Sequence, residues 1–204
     1  MRTIEMKVYK FDELSDSAKE KARDWWRNSM EVEDYAEFVL EDANHVAQLF
    51  GLEIGTHTVK LMGGGSRQEP DIYFDLGCES GVYFSWWYSY KPGAIAAVKA
   101  HAPKDEYLHQ VVTDLQAIQK RNFYQLQASG EIRDRGGNSC DVDRLDDKEP
   151  TADALQEVED CIYQFSNRIL SNLQDEYEYQ TSDENVDETI RINEYEFYEN
   201  GEIA

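Results

Sequence analysis

The chain has 204 residues, 41% of them hydrophobic and 12% aromatic, enough to bury a core and to exclude a wholly disordered chain. Against 20 Lys and Arg stand 42 Asp and Glu, a formal net charge of −22 with an isoelectric point near 4.4. That balance excludes conventional binding to nucleic acid or to an anionic membrane, both of which are gripped through Lys and Arg.

No run approaches the roughly 18 apolar residues needed to span a bilayer. Glu5, Lys7 and Lys10 interrupt the opening segment, which therefore lacks the apolar stretch of a signal peptide. Three widely spaced cysteines, Cys78, Cys140 and Cys161, form no CxxC. They are expected to be ordinary buried thiols of a reduced, cytoplasmic protein.

In chain order, residues 3–11 alternate like a strand, with Ile4, Met6 and Val8 on one face. Ser15 is placed to cap a helix running to about Met30, with Trp25 and Trp26 in the core. A second helix is expected over 33–50, offering Phe38, Val39, Val46, Leu49 and Phe50 to the core and stopping at Gly51. From Leu52 the period becomes two, which predicts strands over 52–61, 71–75 and 82–90. Gly63, Gly64 and Gly65 read as a hairpin loop, because no Lys-Ser/Thr follows them to make a phosphate loop.

The strand over 82–90 carries Phe84, Trp86, Tyr88 and Tyr90 on one face and Tyr83 and Trp87 on the other. A central strand covered by helices is the favoured reading over a base- or sugar-stacking surface. Pro92 and Gly93 open a short helix to Ala102, and a longer one is expected over 105–122. Segments 124–133 and 139–145 flank Gly136 and Gly137 as a hairpin. A long amphipathic helix over 151–177 carries Leu155, Val158, Ile162, Phe165, Ile169 and Leu173 at steps of three and four. Ser182 or Asp183 caps a last helix, and 194–197 adds a closing strand.

These elements predict an α+β fold, an antiparallel β-sheet with helices packed mainly on one face and a long amphipathic C-terminal helix. The whole of 1–204 reads as a single domain whose part from about 141 to 204 is strongly acidic. That part holds 20 acidic and 4 basic side chains, a net of −16, against −6 for the first 140 residues.

Catalytic and metal motifs do not emerge. Asp141, Asp143 and Asp147 fail as a calcium loop, since Asp146 stands where Gly is needed and Ala152 where Glu is needed. His45, His57, His101 and His109 belong to no HxxxH or HExxH string. No catalytic residue, metal site or cofactor is therefore assigned, and the protein is expected not to be an enzyme. The informative feature is carboxylate spacing. Residues four apart on a helix lie roughly 6 Å apart, and duplex DNA carries one charge per roughly 1.7 Å of axis. Rows of Asp and Glu can thus imitate a nucleic-acid backbone toward a basic groove. Glu157, Asp160, Asp175, Glu176, Glu178, Asp183, Glu184, Asp187 and Glu188 supply one such face, and Glu33, Glu37 and Glu41 a second. Like charges four apart mildly disfavour a helix, so neutralising Asp183, Glu184, Asp187 and Glu188 is expected to leave stability unchanged or slightly higher.

The opening Tyr9-Lys10-Phe11-Asp12-Glu13-Leu14-Ser15 and Ala18-Lys19-Glu20-Lys21-Ala22, with Tyr88-Ser89-Tyr90-Lys91-Pro92-Gly93-Ala94, resembles a group of bacteriophage and prophage proteins. Ser182-Asp183-Glu184, Val186-Asp187-Glu188 and Asn193-Glu194-Tyr195 extend that resemblance to the end of the chain. The group is largely uncharacterised, and some members are labelled as the antitoxin of a toxin–antitoxin stability system. The resemblance implies a mobile-element protein acting inside a bacterial cell. With the charge, it gives the expectation of a basic protein partner, no direct nucleic acid and no membrane. An inhibitor of the anti-CRISPR or antirestriction type is the first expectation. An antitoxin that sequesters a basic toxin is the second, and an enzyme or phage assembly factor the third.

Overall fold

The computed structural model describes residues 7–30, 33–134 and 137–204, without the side chains of residues 33 and 34. The expected strand positions 3–6, and Gly136 of the expected hairpin, lie outside the described residues. The fold is α+β, built on antiparallel pairings, and it carries the long amphipathic helix read from the sequence near its C-terminal end. The chain forms two compact units, residues 1–36 with 175–204, and residues 37–174.

The first unit joins the two ends of the chain. Strand β1 (Tyr9–Lys10) pairs antiparallel with β9 (Glu196–Phe197), and a 3-10 turn (Phe11–Glu13) leads into α1 (Asp16–Ser29). Of the described residues in the expected strand over 3–11, Lys7, Val8 and Phe11 are not strand. Ser15 caps α1 by accepting from the Ala18 N–H, one of the orphan donors of a first turn. Helix α6 (Asp183–Ile192) packs on α1, and Ser182 caps it through the Asn185 N–H. Phe11, Leu14, Ala18, Ala22, Val186, Ile190 and Phe197 are buried together, with Tyr9, Trp25, Trp26 and Tyr195 packed against them. Trp25 meets Tyr195 and Phe197 edge-on at 5.2 and 5.9 Å, an arrangement the ring quadrupoles favour.

The second unit is built around a five-stranded antiparallel sheet. Its spine runs β2 (Leu52–Ile54), β6 (Gly81–Ser89), β7 (Leu126–Ile132), β8 (Ser139–Arg144), while β5 (Tyr73–Asp75) pairs with the start of β6. Helices α2 (Glu33–Leu49), α3 (Ala94–His101), α4 (Glu106–Arg121) and α5 (Ala154–Thr181) complete the fold, and the unit boundaries fall inside α2 and α5. Leu52, Ile54, Val82, Phe84, Trp86, Tyr88, Leu126, Ala128 and Ile132 are buried on one face of the sheet. Val111, Val112, Leu115 and Ile118 of α4, and Val158, Ile162, Phe165, Ile169 and Leu173 of α5, supply the helical side of this core.

Several expectations are corrected. The segment 52–61 is two strands in different sheets: β2 pairs with β6, whereas β3 (Thr56–Lys60) pairs with β4 (Ser66–Pro70) in a separate hairpin. The break is at Gly55, whose N–H donates to the Ser85 carbonyl and whose carbonyl accepts from Asp71 N–H at 2.7 Å. The hairpin turn at Gly63–Gly65 is where it was expected. β4 has no apolar alternation to reveal it. Phe38 and Leu155, assigned to the core by helical period, are exposed at 73% and 44%. Phe38 lies off the stripe of Ala36, Ala43, Val46, Ala47 and Phe50. Leu155 is in line with buried Leu173 but sits in the first turn of α5, where period alone does not tell cover from solvent. Cys78 is exposed, Cys140 half-buried, and only Cys161 is buried as expected of a filler thiol.

Candidate partner-binding surfaces

On α6, Val186 and Ile190 are buried four residues apart, so Glu184 and Glu188 point to solvent. Asp183 and Asp187 lie between these faces, and two arginines of α1 occupy them. Arg23 donates to both carboxylate oxygens of Asp187, at 2.6 and 2.9 Å. It also pairs with Glu20 and lies 3.6 Å from Asp183. The Asp187 carboxylate holds the Arg23 guanidinium well above its usual range. Arg27 binds Asp183 and donates to the Thr181 carbonyl at 3.0 Å, satisfying an end of α5. Arg191 donates to Asp12 at 2.9 Å, and that bond lowers the Asp12 carboxyl below its ordinary value. At the end of α5, Asp175 and Glu178 are exposed, while Glu176 accepts from Gln180 at 2.7 Å.

The acidic candidates therefore divide. Asp183 and Asp187 fasten α6 to α1. Asp175, Glu178, Glu184 and Glu188 make no ion pair among the described residues. The first unit contains 20 acidic against 8 basic side chains, a net of −12 in its 66 residues.

The remaining candidates belong to the second unit, Glu33 excepted, whose side chain is not described. Glu37 accepts from Arg67 at 3.0 Å, Glu157 binds Arg121, and Asp160 accepts from Gln156 at 2.9 Å. Glu41 is exposed and unpaired among the described residues. Glu69 and then Glu37 push the Arg67 guanidinium up.

Among the described residues, no three of His, Cys, Asp and Glu are placed to hold a metal ion. Burial pushes the Cys161 thiol up to about 12 and the Cys140 thiol up to about 11, the opposite of an activated nucleophile. His101 hydrogen-bonds Asp42 at 2.8 Å, and His109 the Ala102 carbonyl at 2.8 Å, each a local structural contact.

Sequence reasoning missed one surface. On the sheet face opposite the core, Glu53, Trp87, Ser89, Gln127, Glu131, Asp141 and Asp143 are all exposed among the described residues. Register places Glu53, Trp87, Ser129 and Asp141 in one cross-strand row, and Ser89, Gln127 and Asp143 in the next. Trp87 is 55% exposed against 1% for Trp86. Shallow grooves of about 840 and 350 Å³ both have Trp87 and Glu53 in their walls. The strict alternation over 82–90 carried this signal, because Trp87 must face away from Trp86. The expected packing of helices mainly on one face is compatible with an open side, but it does not single out Trp87 there.

The model of a Domain of unknown function (DUF8835) matches residues 35–183, most of the chain. The chain belongs to this family. The DUF8835 region takes in the whole second unit, including the open sheet face, together with Asp175, Glu176 and Glu178. It stops at the first residue of α6, so Glu184, Asp187 and Glu188 lie beyond it. No curated protein and no solved structure matches this DUF8835 chain. No helix among its described residues is long and apolar enough to cross a membrane.

Proposed function

We propose that this chain is a non-enzymatic inhibitor of a basic, nucleic-acid-handling protein of a bacterial defence system, of the anti-CRISPR or antirestriction type. In this reading it is carried by a phage or prophage and acts in the host cytoplasm. Its carboxylates stand in for phosphates and occupy the channel that DNA or RNA would enter. The observation that carries the reading is the surplus of uncommitted negative charge in the first unit. Asp175, Glu178, Glu184 and Glu188 remain unpaired there among the described residues, although Arg23, Arg27 and Arg191 are all engaged nearby. Glu184 and Glu188 are one turn apart, roughly 6 Å, on a helix anchored through its other side. Long-range attraction between such a surface and a basic channel accelerates encounter and fixes orientation. The resemblance of the opening and closing segments to phage proteins supplies the biological setting.

The test is association kinetics against a purified basic nuclease or effector complex that the chain inhibits, at two ionic strengths. Asp175→Asn, Glu178→Gln, Glu184→Gln and Glu188→Gln are combined in one variant. Association should slow by about tenfold or more, with a flatter salt dependence, and duplex DNA should compete with the wild-type chain. Equal rates and slopes for both proteins would remove the mimicry reading. Binding that nucleic acid cannot displace, to a small basic toxin, would favour the antitoxin alternative. The chain itself should not retard duplex DNA or RNA in a gel at physiological salt.

A further inference from the structure

We propose that the open face of the β2–β6–β7–β8 sheet is a second docking surface, and that it takes an extended, arginine-bearing segment of the protein partner. The proposal rests on the reading above only in taking that partner to be basic. Its own evidence is independent of the first unit.

Trp87 stands on this face on β6, an inner strand paired with β2 on one side and β7 on the other. Glu53 pairs with it directly on β2, and Ser129 and Asp141 continue the row across β7 and β8. With strands about 4.8 Å apart, the Glu53 backbone lies about 5 Å from that of Trp87 on one side and the Asp141 backbone about 10 Å away on the other. Asp143 extends the acidic edge one row further. None of Glu53, Asp141 and Asp143 forms an ion pair among the described residues, whereas Glu131, at the far end, is paired with Arg133. The smaller groove beside Trp87 is walled by Glu53, Gln127, Ser129, Asp141 and Asp143, with no basic side chain. Lys91, the one cation at the larger groove, is turned to the Gln48 carbonyl at 2.6 Å.

These features select the ligand. A half-exposed indole among carboxylates repels nucleotides and attracts a cation to its ring face. A guanidinium suits it best, because it is planar, stacks on aromatic rings and pairs bidentately with carboxylates. The surface is flat and rimmed by Ser and Gln, so it does not enclose a small molecule as ligand pockets do. A flat, polar surface with one aromatic anchor is the form of a protein contact site.

The full-length chain should be titrated with capped Arg-Gly-Ser repeat peptides and with Glu-Gly-Ser and oligothymidine controls. Calorimetry and the indole N–H resonances report binding. The arginine peptide should bind in a salt-dependent manner and shift the Trp87 indole signal. Trp87→Thr, which keeps a strand-forming residue, should weaken it by about fivefold or more. Asp141→Asn with Asp143→Asn should weaken it comparably and leave the fold intact. Glu184→Gln with Glu188→Gln should leave it unchanged. If the peptide instead responds only to the Glu184 and Glu188 changes, the sheet face is not the site, and the mimicry reading stands without it. Binding of oligothymidine at Trp87, or no shift of its indole signal, overturns the proposal directly.

Discussion

Trp86 is 1% exposed and faces Gly130 across the β6–β7 pair. A Cβ at Gly130 would fall 2.0 Å from the Ser139 carbonyl oxygen and 2.8 Å from Trp86 Cζ2. Gly130→Ala must therefore push apart a ladder on one side and the largest buried side chain on the other. A cost of about 1–3 kcal/mol is expected, and Trp86→Ala, which leaves a cavity, should cost about 3–5 kcal/mol. Both are read as shifts of the urea midpoint, and an unchanged midpoint for either would contradict this packing. The turn after α4 shows the opposite case. Phe123 and Tyr124 both adopt left-handed backbone, with φ of 57° and 61°. Buried Asn122 and Gln119 impose it: Asn122 binds the Ile118 carbonyl and Thr151, and Gln119 bridges to the Leu126 backbone in both directions. Phe123 is 73% exposed and contributes little packing beyond Arg144 over its ring. Phe123→Gly should relieve about 1–2 kcal/mol of backbone strain against about 0.5–1 kcal/mol of added chain entropy. A small rise in melting temperature is the expected outcome, and a fall would mean the ring packs more than its exposure indicates.

At the level of elements, the α1–α6 pair joins residues more than 150 positions apart, and its polar seam is what the sequence least revealed. The spacing of Asp183 and Asp187 predicted like-charge repulsion along α6, without showing that Arg23 and Arg27 face them. With Arg23 and Asp187 each only 16% exposed at the side chain, the bidentate contact is a charge-assisted one in a partly dry setting. Asp187→Asn should cost about 1–2 kcal/mol, whereas Glu188→Gln on the same helix should stay within about 0.5 kcal/mol. Thermal melts of the two variants decide this, and equal effects would mean the seam is solvent-screened. Neutralising the four acids together should therefore destabilise the chain, contrary to the repulsion argument, because two of them, Asp183 and Asp187, are fasteners. What was legible at this scale came from caps and periods. Ser15 and Ser182 cap α1 and α6 as expected, and the Val158 to Leu173 stripe is buried. Strand β4 was not legible, since a short exposed hairpin needs no apolar alternation.

Across the whole molecule, the charge asymmetry was plain in the sequence, but its division into fastened and free carboxylates required partners brought together by the fold. The open sheet face was half legible, through the alternation of Trp86 and Trp87, and hidden only in whether anything covers it. Titration gives the last test of this architecture. Cys161 lies beside α5's buried stripe, and its thiol is raised to about 12 by burial first, then by Asp114, Asp160 and Glu157. Tyr88, across the same core, is likewise pushed up by burial. Both groups are acids whose folded values exceed their unfolded ones. Below about pH 7.5 neither is appreciably ionised in either state, so they place no pH dependence on stability there. As pH rises from about 8, the unfolded chain releases the Cys161 proton while the folded chain keeps it, and stability falls. The slope per proton is about 1.4 kcal/mol per pH unit. Tyr88 joins from about pH 10. Urea unfolding followed by circular dichroism at pH 8, 9.5 and 10.5 should show this decline. Cys161→Ala loses some packing at every pH, yet its decline between pH 9 and 10.5 should be shallower by roughly one proton's slope. Parallel curves for the two proteins would mean that Cys161 ionises in the folded chain as readily as in water, and the core beneath β6 would then have to admit solvent.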